Sequence, residues 1–126
     1  MIAIGIGCRK GCEASEIVEL VRRASAGFGA RSGMRLFTMA EKQGEAGLIE
    51  AAVLLGLPLV FLPRAALAAV EMAVQTRSER VVALFGTPSV AEAAALAGAG
   101  AGARLLVPRL ASACATCAIA STEKAA

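Results

Sequence analysis

The sequence predicts an α/β fold: one three-layer α/β/α domain over residues 1–126, around a mixed, mostly parallel sheet of about five strands. Two observations support this prediction. Short apolar runs alternate with helical periodicity along most of the chain, which favours parallel strands joined by helices. The last two strand candidates, residues 105–107 and 117–120, are separated by only nine residues. That is too few for a parallel crossover, so they should pair antiparallel.

The parallel part of the sheet has three predicted strands. Residues 2–6 form a short apolar strand that Gly7 should end, and residues 35–39 form the second strand. Residues 58–62 are apolar at every position, as expected of a strand covered by helices on both faces.

Apolar residues at helical spacing predict the helices that connect these strands. They are Ile17, Leu20, Val21 and Ala24 in the first helix, and Leu48, Ala51, Ala52 and Leu55 in the second. Gly27 should end the first helix, and Gly56 should end the second in the left-handed conformation. Pro63 should occupy the first turn of a third helix that carries Leu67 and Val70.

The segment before the last two strands predicts two more helices. A short helix from Ser78 to Gly86 is favoured over a strand because of its cap and its apolar spacing. Ser89 and Glu92 match the capping-box pattern S-x-x-E and should open an alanine-rich helix. The glycine and alanine residues at 98–103 then predict a loop within the domain.

The composition excludes several classes of protein. Although 57% of the residues are hydrophobic, the longest uncharged runs, residues 51–63 and 110–122, are too short to span a membrane, which needs about 20 residues. The chain has no His, Asp or Asn, so Ser-His-Asp and Cys-His catalytic sets and histidine metal ligands cannot form within it. It also has no Trp or Tyr, the side chains on which single-stranded nucleic acid stacks.

Positive charge is concentrated near the N-terminus. Residues 1–35 contain six Arg or Lys and three Glu, whereas the remaining residues balance. Arg9 and Lys10 directly follow the first predicted strand. A small local excess of this kind suits a small anionic ligand better than a nucleic acid.

The four cysteines raise three questions. No basic signal region precedes the first strand, so we expect a cytoplasmic protein with four reduced thiols. Cys8 should have a low pKa beside two cations and a helix N-terminus, which makes it a candidate nucleophile, although a small buried thiol is the favoured interpretation. A zinc site formed by Cys8, Cys12, Cys114 and Cys117 is conceivable, but the spacing is poor. We therefore predict no metal and no cofactor.

The strongest local pattern is Gly5-Ile-Gly-Cys-Arg-Lys-Gly-Cys12, between the first strand and the first helix. Its glycines let backbone amides approach a ligand closely, and the helix N-terminus that follows attracts negative charge. It should lie at the carboxyl edge of the sheet, where α/β proteins bind ligands. The spacing fits neither a dinucleotide fingerprint nor a P-loop, so the alternative is a tight turn with two solvated basic residues.

The same segment resembles the signature of the CobE/CbiG C-terminal family of cobalamin biosynthesis, most closely its stand-alone form. The resemblance spans nearly the whole chain, in order. Its further matches are Lys42 and Glu45, LGLPL at 55–59, Ser78 with Val81, Gly86, SVAEAAAL at 89–96, and Thr116 before residues 118–120.

This resemblance implies a role in building the corrin ring, by binding or processing a carboxylate-rich precursor. One branch of the family, in a longer protein, hydrolyses a lactone on such a precursor and releases acetaldehyde, and the stand-alone form has a less settled role. The ligand-binding residues it implies are Gly7, Cys8, Arg9, Lys10, Gly11, Lys42 and Glu45. Cys8, Lys42 and Glu45 are the candidates for catalysis, although Lys42 and Glu45 are equally explained as a surface pair. The alternative function is a non-catalytic structural or regulatory partner of other enzymes of the pathway.

Overall fold

A computed structural model describes residues 2–27, 33–76 and 89–122, and it contains a five-stranded sheet flanked by helices. The strands are β1 (Ile2–Cys8), β2 (Arg35–Met39), β3 (Leu59–Leu62), β4 (Arg104–Ala111) and β5 (Ala115–Ser121). The helices are α1 (Ala14–Ser25), α2 (Ala46–Leu55), α3 (Arg64–Ala68) and α4 (Val90–Ala99), with 3₁₀ turns at Ala40–Lys42 and Glu71–Ala73. In the described ranges, no helix combines the length and the hydropathy that crossing a bilayer requires. The helix predicted from Ser78 to Gly86 lies outside these ranges.

The strands are ordered β3-β2-β1-β5-β4 across the sheet. β1 pairs in parallel with β2, and β2 with β3, whereas β5 is antiparallel to both β1 and β4. Four strands therefore share one direction, which confirms the mixed, mostly parallel sheet and the antiparallel pairing of the last two strands. Because β1 and β2 are parallel neighbours, the segments that follow them leave the sheet at the same edge.

Helices cover both faces of the sheet, as the sequence predicted. Successive residues of a strand point to opposite faces. Ile4 is therefore buried with Ile17 of α1 and Leu48 of α2, whereas Ala3 and Phe37 face α4. α4 packs so closely on β1 that a Cβ atom added to Gly5 would lie 1.9 Å from the carbonyl oxygen of Ala91. The three-layer α/β/α architecture is confirmed.

Several predicted boundaries were wrong, and Val70, predicted to lie in the third helix, follows the end of α3. Gly7 does not end β1, because it and Cys8 still pair with β5. Gly98 lies inside α4 and not in a loop, because its missing side chain leaves room for the ring of Phe37. Pro63 precedes α3 as its N-cap residue and is not in its first turn. Gly56 does end α2 in the left-handed conformation, with φ +68°.

Candidate functional site

Residues 9–12, here called the signature loop, connect the end of β1 to α1. The loop is a tight turn in which the Cys12 N–H donates to the Arg9 carbonyl, 3.2 Å away. Gly11 has φ +79°, a conformation that side chains disfavour, and the space where its Cβ would lie is open. The glycine at this position is therefore required by the backbone of the turn.

The loop is anchored from two distant parts of the chain. On one side, the Arg9 N–H donates to the Cys114 carbonyl, 2.8 Å away, in the β4–β5 turn. On the other side, the Gly11 N–H donates to Glu45 Oε2 at 3.0 Å. Both anchors involve backbone amides, so the conformation of the loop is held independently of its side chains.

A disulfide adds a covalent anchor between Cys12 and Cys114, whose Cα atoms lie 5.6 Å apart. The prediction of four reduced thiols was wrong for this pair. The sequence carried no sign of it, because 102 residues separate the two cysteines. Cys8 and Cys117 are free and buried.

Lys42 and Glu45 lie at the same edge of the sheet as the signature loop. They follow β2, which is parallel to β1, and the Glu45 N–H donates to the Lys42 carbonyl at 3.1 Å. Both side chains are close enough to Cys8 to influence the charge on its sulfur. The structure thus brings together the residues that the sequence singled out in the two separate segments.

The favoured interpretation of Cys8, a small buried thiol, is confirmed, but the low pKa that its neighbouring charges suggested is not. Burial raises the pKa of its thiol above 9.0, the Lys42 charge lowers it, and the Glu45 charge raises it, with a net increase. The predicted low pKa was therefore wrong, because the sulfur belongs to the last residue of a buried strand and is removed from solvent. A thiol with a raised pKa is a poor nucleophile at neutral pH.

Arg9 and Lys10, by contrast, are exposed. In the part of the chain that the structure describes, neither forms an ion pair, whereas Arg64 on α3 pairs with Glu41 at 2.5 Å. Two cationic side chains on an anchored loop are thus available to an anionic ligand.

Gly47 is a residue of this site that the sequence analysis missed. It lies in the first turn of α2, and a Cβ atom there would be 2.0 Å from the Cys12 carbonyl oxygen. This glycine lets α2 approach the signature loop closely enough for Glu45 to reach Gly11. Its position in the first turn of a helix, two residues after Glu45, was the available signal.

Only the Ser89 half of the predicted capping box forms, because the Glu92 side chain binds elsewhere. Ser89 Oγ does accept from the Glu92 N–H at 3.3 Å, as predicted. The Glu92 carboxylate is fully buried and accepts from four donors at 2.8–2.9 Å: the N–H groups of Gln75, Thr76 and Arg109 and the Thr76 hydroxyl. It therefore joins α4 to two other segments of the chain.

Together, fold and site define a small α/β protein with a cationic, glycine-rich loop anchored at the carboxyl edge of its sheet. Residues 2–120 match the family described as cobalamin synthesis G C-terminus, and the chain belongs to that family. This confirms the resemblance found in the sequence.

Individual relatives agree with this assignment. The chain is 36% identical over 121 residues to Protein CobE of Sinorhizobium sp., a match that covers 94% of this chain and 79% of that protein. Its fold matches the crystal structure of CobE from the cobalamin (vitamin B12) biosynthetic pathway, with TM-score 0.86, 36% identity, and 95% and 89% of the two chains covered. It also matches the cobalamin biosynthesis protein chiG of Agrobacterium tumefaciens, with TM-score 0.72, 39% identity, and 98% and 100% covered. The chain is a protein of the cobalamin biosynthesis pathway.

Proposed function

We propose that the protein binds a carboxylate-rich corrin-ring precursor, a precorrin or its cobalt-containing form, at the signature loop. The observation that carries this proposal is the pair of exposed cations, Arg9 and Lys10, on a loop whose backbone is held from both sides. A preformed loop loses little conformational freedom on binding, so its charge-assisted contacts contribute more fully to affinity. The cytoplasmic location expected from the sequence belongs to the same proposal.

The ligand-binding residues that we propose are those that the sequence singled out. Gly7, Cys8 and Gly11 shape the end of β1 and the turn, Arg9 and Lys10 contact carboxylates, and Lys42 and Glu45 line the neighbouring connection. The proposal is for binding, and we assign no reaction. Cys8 is disfavoured as a nucleophile by its raised pKa, and Glu45 is already engaged by the Gly11 N–H.

The test is a binding titration with a corrin polycarboxylate, prepared by hydrolysing the side-chain amides of cobalamin. Replacing Arg9 and Lys10 together with Ala should weaken binding at least about tenfold, because each charge-assisted contact contributes roughly 1.5–3 kcal/mol. Binding by the unaltered protein should also weaken as salt rises. Cobalamin itself, with amides in place of carboxylates, should bind less tightly.

A matched control removes the same charge elsewhere. Arg22 and Arg23 are exposed in the last turn of α1, far along the helix from the loop, and their replacement by Ala should leave affinity unchanged. Equal losses in the two double variants would indicate a general charge effect and count against a site at the loop. Unchanged, salt-insensitive binding after the loss of Arg9 and Lys10 would rule the loop out.

A second function, as a non-catalytic structural or regulatory partner of other pathway enzymes, is favoured by α2. This helix exposes three apolar side chains, Ile49 (46%), Val53 (74%) and Leu54 (58%). Grouped apolar residues at a surface fit contact with another protein better than contact with a polycarboxylate. If the unaltered protein binds no corrin polycarboxylate, but co-purifies with pathway enzymes until Val53 is changed to Lys, this second function is the correct one.

A further inference from the structure

Cys12, Cys114 and Glu16 meet on the α1 side of the signature loop. Their ligand atoms, two sulfurs and one carboxylate oxygen, all lie within 4.8 Å of one another. Cys12 is the last residue of the loop, Glu16 lies one helical turn further along in the first turn of α1, and Cys114 comes from the β4–β5 turn. This group, here called the thiol cluster, supplies none of the residues proposed above to contact the precursor.

The position of Glu16 is not explained by the disulfide. A carboxylate oxygen only accepts hydrogen bonds, and a disulfide sulfur has no proton to donate. Yet Glu16 Oε2 lies against Cys114 Sγ and 3.8 Å from Cys12 Sγ. The oxygen gains an interaction from both sulfurs only when they are reduced, either as thiols that donate to it or as thiolates that share a cation with it.

We propose that, in the reduced protein, the thiol cluster binds one divalent cation of the zinc class, and that the Cys12–Cys114 disulfide is its oxidised, metal-free form. Thiolates and a carboxylate are ligands that zinc accepts, and three protein ligands leave a fourth position open to water or another small ligand. The N-terminus of α1 also favours the negative charge that two thiolates bring.

One separation in the cluster already fits this ligand set, and the two that involve Cys114 Sγ must lengthen after reduction. Tetrahedral zinc, with bonds of about 2.3 Å to sulfur and about 2.0–2.2 Å to oxygen, separates two sulfurs by about 3.8 Å and a sulfur from an oxygen by about 3.5 Å. Cys12 Sγ and Glu16 Oε2 are already 3.8 Å apart. After reduction, side-chain rotation alone can separate the two sulfurs, since their Cα atoms lie 5.6 Å apart.

The other two cysteines lie outside the cluster. Burial raises the pKa of the Cys117 thiol to about 12, so it does not supply a thiolate near neutral pH. Cys8 also has a raised pKa, and burial is the main cause. The sequence-based argument against a metal concerned four thiolates, whereas the structure assembles two of them with a carboxylate that the sequence did not single out.

Protons and electrons balance in the two steps that connect the metal-bound, reduced form with the disulfide form. Binding of M²⁺ to the dithiol releases two protons, one from each sulfur. Oxidation by a small disulfide, such as oxidised glutathione, forms the Cys12–Cys114 bond, converts the oxidant into two thiols and releases any bound cation. The prediction that the protein carries no metal therefore remains in place for the disulfide form.

The test measures zinc uptake by the whole protein, without any tetrapyrrole, so its outcome is separate from that of precursor binding. The protein is reduced with a phosphine, desalted without oxygen and titrated with Zn²⁺ against a chromophoric chelator. We expect one zinc per chain, a loss of affinity of at least about tenfold in Cys114→Ser and Glu16→Gln, and no uptake after oxidation with oxidised glutathione. Co²⁺ in place of Zn²⁺ should give a thiolate charge-transfer absorption band.

Two controls keep the result interpretable. Cys117→Ala removes a thiol outside the cluster and should retain full zinc binding. Glu16→Gln changes a half-buried residue near the surface, so it remains informative even if a cysteine variant folds poorly. The proposal is overturned if the reduced protein binds zinc no more tightly than Cys114→Ser does, or if the oxidised protein binds it equally well.

Discussion

The close approach of α2 to the signature loop predicts an unusual effect of Gly47→Ala. Replacing a glycine in a helix with alanine normally stabilises it, by up to about 1 kcal/mol. Here the new Cβ would lie 2.0 Å from the Cys12 carbonyl oxygen and 3.3 Å from the Ala14 nitrogen. Ordinary carbon–oxygen contacts are about 3.3 Å or longer, so α2 and the loop must separate by roughly 1.3 Å. Both clashing atoms belong to the backbone, so no side-chain rotation relieves the contact.

Overpacking of this kind costs about 1–3 kcal/mol, which outweighs the gain in helix propensity. We therefore expect Gly47→Ala to lower the free energy of unfolding by about 1–2 kcal/mol and the melting temperature by roughly 3–10 °C. Calorimetry of the variant checks this expectation. Gly44→Ala is the matched control, because its Cβ would meet nothing within 4 Å, and it should stay within about 0.5 kcal/mol of the unaltered protein. A Gly47→Ala protein as stable as the parent, or more so, would refute the proposed contact.

Two further predictions concern buried groups outside the signature loop. Glu92→Gln places an amide NH₂ group, itself a donor, opposite backbone N–H groups that donate to the carboxylate in the unaltered protein. The free energy of unfolding should therefore fall by about 2–4 kcal/mol. An unchanged urea midpoint would contradict this role. Cys117 has its pKa raised by burial from 9.0 to about 12. Its protonated form is favoured in the fold, so its contribution to the free energy of unfolding should be constant below about pH 9 and decrease between pH 9 and 12, by up to about 1.4 kcal/mol per pH unit. Because Cys8 also has a raised pKa, unfolding curves at several pH values should show a steeper decrease in the unaltered protein than in Cys117→Ala, and parallel decreases in both would argue against it.

The fold was predictable because its main signals are local. Each pattern depends only on residues within one element. β3 lies in the apolar run at residues 58–62, and α2 lies where apolar residues recur at helical spacing before Gly56. The errors arose where a tertiary contact overrode a local signal. Gly98 indicates a loop when only its neighbours are considered, but it is the position at which α4 packs on Phe37. A glycine that ends a helix and one that lets a helix pack closely look the same in a sequence.

The candidate site was predictable only in part, for the same reason. Parallel strands bring the segments after β1 and β2 to one edge, so topology alone places Lys42 and Glu45 near the signature loop. No local pattern reveals that Glu45 binds the Gly11 amide or that Cys12 is bonded to Cys114, since these contacts span 34 and 102 residues. The pKa of Cys8 was mispredicted because its neighbouring cations can be read from the sequence, whereas the burial of its thiol depends on the whole fold.

The anchoring of the signature loop separates two kinds of residue that a simple binding assay would confuse. Glu45 and Gly47 act on the backbone of the loop, so changes there should lower both thermal stability and affinity for a corrin polycarboxylate. The side chains of Arg9 and Lys10 are exposed and take no part in the anchors, so replacing them with Ala should lower affinity alone. If the site is a preformed cationic turn, these two patterns must differ. If the loop is merely a tight turn with solvated charges, removing the charges should change neither quantity.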